Sequence, residues 1–223
     1  MKKLIVLFII GSLNASLFMA NVNAQSDEAF TTYTFSDFLI SSVNVVEANT
    51  LNSSLTVVGD AVSEAVVEMY VSGNSPAIRR RQWSNEEIKK YLEKNYAIEV
   101  KVESEKLFVE AIPKTNNNDF SVSFKITVPR QMNSNLKTTN GSLLISNLSG
   151  SQSFQAVNGS LKAENVSGKI FGSTTNGSIT VTNSNNDINL STVNGSITAK
   201  DCDGKINLST VNGRINRQRA GEN

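Results

Sequence analysis

Between Leu143 and Ile215 apolar residues return on a nine-residue unit counted from Gly141. The third position is aliphatic at Leu143, Leu161, Ile170, Ile179, Ile188, Ile197, Ile206 and Ile215, with Gln152 the exception. The fifth is mostly apolar (Ile145, Phe154, Ala163, Val181, Leu190, Ala199, Leu208), and the eighth often so (Leu148, Val157, Val166, Val193, Cys202, Val211). Positions four and six carry Lys, Thr, Asn, Ser and Glu in most units. Apolar residues two apart, with polar ones between, predict a short strand with one face inward.

The units are used in pairs. Asn140, Asn158, Asn176, Asn194 and Asn212 are followed by Gly141, Gly159, Gly177, Gly195 and Gly213, always at a spacing of 18 residues. Hairpins would also turn once per unit, but a hairpin arm alternates three-five-seven, whereas three-five-eight demands a corner inside the unit. Antiparallel arms would scatter equivalent residues; a parallel coil stacks them one strand spacing apart. The period therefore predicts an all-β chain, a parallel β-solenoid (β-helix or β-roll) with 18-residue coils made of two nine-residue units. Stacking gives the asparagines a structural role, because side-chain amides bond up and down a column. The glycines are expected to supply positive φ or tight corners. Further columns are expected at Asn147, Asn165, Asn183 and Asp201, and at Thr174, Thr192 and Thr210. Arg217 falls at a core position beside Arg214 and Arg219, so the basic C-terminal stretch reads as a cap against further strand addition.

Upstream the pattern is less regular. "LNSSLTVVGD" (51–60) matches the repeat, with Asn52 at the ladder position and Leu55 and Val57 inward, and "AVVEMYV" (65–71) is a further strand candidate. "SNEEIKKYLEKN" (84–95) reads as a helix: Ser84 and Glu87 form a capping box, and Ile88, Tyr91 and Leu92 share a face. Two alternating runs, "AIEVKVES" and "KLFVEAIP", predict a hairpin turning through Ser104–Lys106, and "FSVSFKITVP" (120–129) one more strand. The helix and hairpin are expected as an insertion or a cap over the N-terminal end of the solenoid. This divides the chain into 1–24, an irregular β-rich part at 25–130, and the regular solenoid with its basic cap at 131–223.

Composition narrows the function classes. Residues 1–24 carry a basic start, the apolar run Leu4–Ile10 and the small residues Val22 and Ala24, the features of a secretory signal peptide cleaved after Ala24. Its removal takes Lys2 and Lys3 from 21 basic residues, leaving 19 against 20 acidic ones, a formal charge of −1. Nothing in that balance points to nucleic acid, and the mature chain carries no transmembrane segment. With no His, Ser-His and Cys-His nucleophile pairs and His-ligated zinc are absent; the lone Cys202 has no disulfide partner.

The remaining chemistry is weighed against the repeat. A nonapeptide calcium roll needs carboxylates at each turn, whereas these turns are N-G-S and x-G-K with only Asp187, Asp201 and Asp203 nearby. A carbohydrate-active β-helix needs converging carboxylates, but the expected outward rungs are Lys162, Thr180 and Thr198 on one face and Phe171, Asn189 and Asn207 on the other. Both remain as alternatives to a non-enzymatic binding or structural module without cofactor, catalytic residue or metal. Arg79, Arg80 and Arg81 precede the only Trp, Trp83; with Phe171, Arg80 and Trp83 are the candidate binding residues.

"FKITVP" followed by spaced "TTNGS" and "SG" units resembles the bacterial putative adhesin family, a domain of unknown function related to the head domains of putative autotransporter adhesins. The resemblance covers about Thr50 to Ile215 and is strongest from Phe124 onward. It implies an exported β-solenoid of the cell envelope, periplasmic, outer-envelope or secreted, with envelope polysaccharide or another surface protein as partner. It brings no catalytic residues.

Overall fold

The computed structural model describes residues 29–38, 43–116 and 119–219. The expected signal peptide lies outside the described residues. The described residues form an all-β fold, with mostly parallel strands in two sheets and two short helices. One sheet stacks β8 (Asn133–Asn140), β10 (Gln152–Asn158), β12 (Ile170–Asn176), β14 (Ile188–Asn194) and β16 (Ile206–Asn212). The other stacks β9 (Leu143–Ser146), β11 (Leu161–Glu164), β13 (Ile179–Asn185), β15 (Ile197–Asp203) and β17 (Ile215–Gln218). Successive units alternate between the two sheets, and strands pair in parallel with the residue 18 positions on, as in Ile170↔Ile188↔Ile206 and Leu161↔Ile179↔Ile197. The arrangement is solenoid-like, its core the seam between the inner faces.

The inward pattern depends on which sheet a unit enters, which corrects the uniform three-five-eight reading. In β9, β11, β13 and β15 the third and fifth positions are buried, and the eighth follows them inside at Leu148, Val166, Ser184 and Cys202. In β10, β12 and β14 the alternation runs on to the seventh, burying Ala156, Thr174 and Thr192, while Val157 and Val193 stand 44% and 40% exposed. The difference lies in one residue. Asn147, Asn165, Asn183 and Asp201, at the seventh position of the first set, take φ between 49° and 57°. A left-handed residue breaks the alternation, and Asn and Asp tolerate that conformation best after glycine.

The glycine after each Asn is required for another reason than the expected one. Among the described glycines only Gly204 has positive φ. A Cβ on Gly159, Gly177, Gly195 or Gly213 would lie 1.8 to 2.1 Å from the carbonyl oxygen of the glycine one coil earlier. The corners stack backbone on backbone, and only hydrogen fits between.

Beside that stack the asparagine amides bond head to tail. Nδ2 of Asn140 donates to Oδ1 of Asn52 (2.7 Å), and Asn158, Asn176, Asn194 and Asn212 each donate to the preceding rung at 2.8 Å. In the second expected column the structure gives one link, Asn165 to Asn147 at 3.1 Å. Thr174, Thr192 and Thr210 donate to the carbonyls of Gly159, Gly177 and Gly195 rather than to one another. Asn194→Ala removes one donor and one acceptor from the exposed ladder and is expected to cost about 1–2 kcal/mol. Chemical denaturation measures it; an unchanged midpoint would mean that water replaces the rung without loss.

Gln152, the exception at the third position, is fully buried and hydrogen-bonded through both its oxygen and its nitrogen. It accepts from the Ser134 hydroxyl and donates to the carbonyls of Met132 (3.0 Å) and Gly150 (2.8 Å). A buried amide is tolerated because Ser134 and Met132 of the coil below and Gly150 of its own unit supply its partners.

The irregular half enters the same two sheets. β2 (Val45–Thr50) lies between β8 and β6 (Lys106–Pro113), and β3 (Leu55–Asp60) between β9 and β7 (Phe120–Pro129), all in parallel, so both sheets run past residue 131 unbroken. The N-terminal edges are antiparallel. β5 (Tyr96–Glu103) pairs with β6 through the turn at Ser104 and Glu105, both left-handed, while β4 (Ala65–Gly73) and then β1 (Ala29–Phe38) extend the other sheet from β7. Between β4 and β5 run α1 (Pro76–Arg80), capped by Ser75, and α2 (Asn85–Asn95), which has the Ser84–Glu87 capping box and buries Ile88 and Leu92.

Tyr96, at the start of β5, is buried and donates its hydroxyl to the Phe120 carbonyl (2.7 Å). Burial pushes its pKa from 10.0 up to about 12, with a smaller contribution from Tyr91. The fold holds the neutral phenol, so the stability it contributes is complete below pH 10 and is lost as pH rises from 10 toward 12. Tyr33, Tyr70 and Tyr91 are raised too, each first by burial. The melting temperature should therefore fall above pH 10. Tyr96→Phe should shallow that fall while costing about 1 kcal/mol at neutral pH; an alkaline profile identical to the parent's would contradict the assignment.

Candidate binding surface

The outer faces of the two sheets are built by the polar positions four and six. Register sets Ser153, Phe171, Asn189 and Asn207 in one row, and Gln155, Ser173, Ser191 and Ser209 in the next, across β10 to β16. On the other sheet Lys162, Thr180, Thr198 and Asn216 form a row, beside Glu164, Thr182, Lys200 and Gln218. Side chains in such a row sit one strand spacing apart, about 4.8 Å. Lys162 and Glu164 pair at 2.8 Å, both side chains well exposed; such pairs add little to stability and tie up the charge locally.

The three candidate binding residues do not form one surface. Phe171 is 48% exposed on the outer face of β12, flanked by Ser153 and Asn189. Trp83 is half-buried at the other end of the chain's course, against the other sheet. Its ring meets Phe120 edge-on at 4.9 Å, its Nε1 donates to the Ile78 carbonyl, and the Arg81 guanidinium stacks 3.9 Å above it. Tyr91 meets the same Phe120 edge-on at 4.7 Å. These contacts fasten α1 and α2 over the N-terminal strands. Arg81 also pairs with Glu87 at 2.8 Å; together with the Ser84 backbone N–H, the first cause, it holds the Glu87 carboxyl below its ordinary range. Arg80 is exposed at the end of α1. Of the arginine triplet, Arg81 thus serves the cap. The sequence signal for this was Glu87, six residues on, already engaged in the capping box.

At the C-terminal end the cap residues line the last strand. Arg217 pairs in register with Ala199 but is exposed, as are Arg214 and Arg219. Cys202 is buried, its thiol directed at the carbonyls of Lys200 (3.2 Å) and Val181 (3.5 Å), and burial raises its pKa. Among the described residues no cluster of three or more His, Cys, Asp or Glu is placed to hold a metal ion, and no helix is long and apolar enough to cross a membrane.

No family model and no curated protein matches the sequence. Among solved structures the chain is similar to a putative cell adhesion protein from Clostridium sporogenes, at 11% identity over 85% of this chain and 99% of that one, with a TM-score of 0.48. It is similar to a putative adhesin from Bacteroides fragilis at 13% identity, over 84% of this chain and 97% of that one, TM-score 0.40. A putative adhesin from Parabacteroides merdae gives 11% identity, 85% and 95% coverage, and a TM-score of 0.23. These three solved structures are of bacterial proteins described as putative adhesins or as a putative cell adhesion protein.

Proposed function

We propose that the protein is an exported, non-enzymatic β-solenoid with 18-residue coils, serving as an adhesin-like binding module of the bacterial cell envelope. The observation that carries the reading is the repetition of neutral polar side chains in straight rows on the outside of the coils, such as Gln155–Ser173–Ser191–Ser209 on a sheet face and Asn158–Asn176–Asn194–Asn212 at a corner. A surface that offers the same hydrogen-bonding groups at each strand spacing suits a partner that is itself long and repetitive, and envelope polysaccharide is such a partner. Export is supported by the signal-peptide pattern of residues 1–24.

Retention of the purified chain on immobilised envelope polysaccharide tests the proposal, with soluble polysaccharide as competitor and reducing ends assayed in the eluate. Saturable retention without release of reducing ends is expected. New reducing ends would turn the protein into a carbohydrate-active enzyme. Retention abolished by a calcium chelator would make it a calcium-dependent module instead.

A further inference from the structure

The exposed apolar residues are not scattered over the rod. Of seven large hydrophobic side chains exposed among the described residues, five are Ile112, Leu51, Val157, Val193 and Val211. The paired register ends with Thr50 against Ala111 and Thr138; Leu51, Ile112 and Thr139 are the next residues of the three segments, and the Leu51 carbonyl accepts the Asn140 N–H at 2.8 Å. The pairs Asn140↔Asn158↔Asn176↔Asn194↔Asn212 carry the column on through Val157, Thr175, Val193 and Val211. One ridge of Val, Leu and Thr thus follows one corner of the stack, and the residue after each of its members from Leu51 on is a rung of the asparagine ladder.

The two columns are complementary in what they offer. A side-chain amide has two N–H donors and two acceptor lone pairs. Asn158, Asn176 and Asn194 each spend one donor and one lone pair within the ladder. One donor and one acceptor per rung remain at the exposed corner, next to the methyl groups of the ridge. From Leu51 to Val211 neither column carries a charged side chain, and the six amide rungs span about 24 Å at one strand spacing each. At its N-terminal end the strip runs into a cleft of ≈ 160 Å³ that Leu51 and Asn52 line together with Pro113, Lys114, Thr115 and Asn116.

We propose that this corner strip, rather than the flat sheet faces, is the polysaccharide-binding site, and that its ligand is a neutral, extended, linear glycan lying along the stack with its end in the cleft. The inference rests on the binding-module reading above. A linear sugar chain presents C–H faces and hydroxyl groups in regular succession. Methyl groups beside unspent amide donors and acceptors match both at once. The absence of charge along the two columns favours an uncharged chain, because an acidic one would lose hydration of its carboxylates for no opposite charge there; in the cleft, the Lys114 ammonium already donates to the Glu93 carbonyl.

The test titrates the isotope-labelled full chain with cellohexaose and chitohexaose, both neutral and linear, and with polygalacturonate as the acidic counterpart. A neutral hexasaccharide should shift the side-chain amide resonances of the ladder asparagines, and polygalacturonate should not. The double variant Val157→Lys/Val193→Lys changes only exposed positions; it should melt as the parent does and bind the hexasaccharide about tenfold or more weakly, since each Lys sets a charge against a neutral partner. Phe171→Lys, on the sheet face, should bind as the parent. Equal binding by the double variant, or loss in Phe171→Lys instead, overturns the site. Envelope polysaccharide retained without any ladder response also overturns it, leaving the broader function standing, whereas no binding to any polysaccharide removes both. Concentration-dependent pairing of the parent that the double variant abolishes would assign the strip to a second copy of the chain and equally overturn the proposal.

Discussion

Gly177→Ala should lower stability by about 3 kcal/mol or more, among the largest effects open to a single methyl group. The added Cβ would sit 2.1 Å from the carbonyl oxygen of Gly159 and 2.6 Å from its carbonyl carbon. Both atoms belong to backbone, and that carbonyl also accepts the Thr174 hydroxyl at 3.1 Å, so it cannot swing away without opening the corner. Relief requires the two coils to separate, which would stretch the ladder bond between Asn176 and Asn158. Gly172→Ala is the control. There the new Cβ meets Leu190 Cδ2 at 2.8 Å and the Phe154 ring at 3.0 Å, side-chain atoms that can repack, and the cost should be nearer 1 kcal/mol. Urea unfolding followed by circular dichroism compares the two. If Gly172→Ala proved the more damaging, glycine would not be stacked on glycine in the folded chain.

That corner also marks how far the sequence could be read. The period of 18 was visible because stacking repeats the same demand in each coil: an aliphatic residue at the third position, an amide at the corner, nothing larger than hydrogen after it. The helix over Asn85–Asn95 was visible because Ser84 and Glu87 are a local device that needs no partner elsewhere. What stayed hidden was the difference between the two sheets. Val157 and Val166 both occupy the eighth position of their units, yet one is 44% exposed and the other fully buried. Hydrophobicity cannot separate them. The discriminating residue precedes each: Asn165 can enter the left-handed region and turn the following side chain inward, while Ala156 keeps the strand extended. The glycines misled in the opposite way. Asn-Gly is so strong a turn signal that positive φ was the natural expectation, whereas the reason at these corners is crowding between coils that the chain meets only once folded. The triplet Arg79–Arg81 and Trp83 read as a candidate basic-aromatic binding motif because nothing local announces Phe120, 37 positions on, as the ring that Trp83 packs against. The corner ridge was invisible for the same reason as the sheet difference, since its valines were counted into the core.

Phe154→Ala should cost about 3–5 kcal/mol, the range for emptying a fully buried aromatic site. Phe154 is 0% exposed in β10 and pairs in register with Leu136 below and Gly172 above. Its ring fills the space that Gly172 leaves, so large and small residues are matched between neighbouring coils and neither can be judged alone. The flanking strands are fixed by their ladders and cannot collapse far into the vacated volume, which places the expected cost toward the upper part of that range. The matching makes a sharper test than the single variant. Phe154→Leu frees the ring atoms that a Cβ on Gly172 would meet at 3.0 Å, so Phe154→Leu/Gly172→Ala should be less destabilised than the sum of its parts by about 1 kcal/mol. Strict additivity would mean that the two positions do not face each other across the coil boundary. The same pair bears on function through mechanics. Ser153 and Phe171 sit on the outer face immediately beside this contact, whereas Val157 and Asn158 lie at the corner that the glycine stack and the amide ladder hold independently. A glycan site at the corner should therefore keep its affinity in any Phe154 variant that still folds, while a site on the sheet face, resting on the emptied core, should lose it.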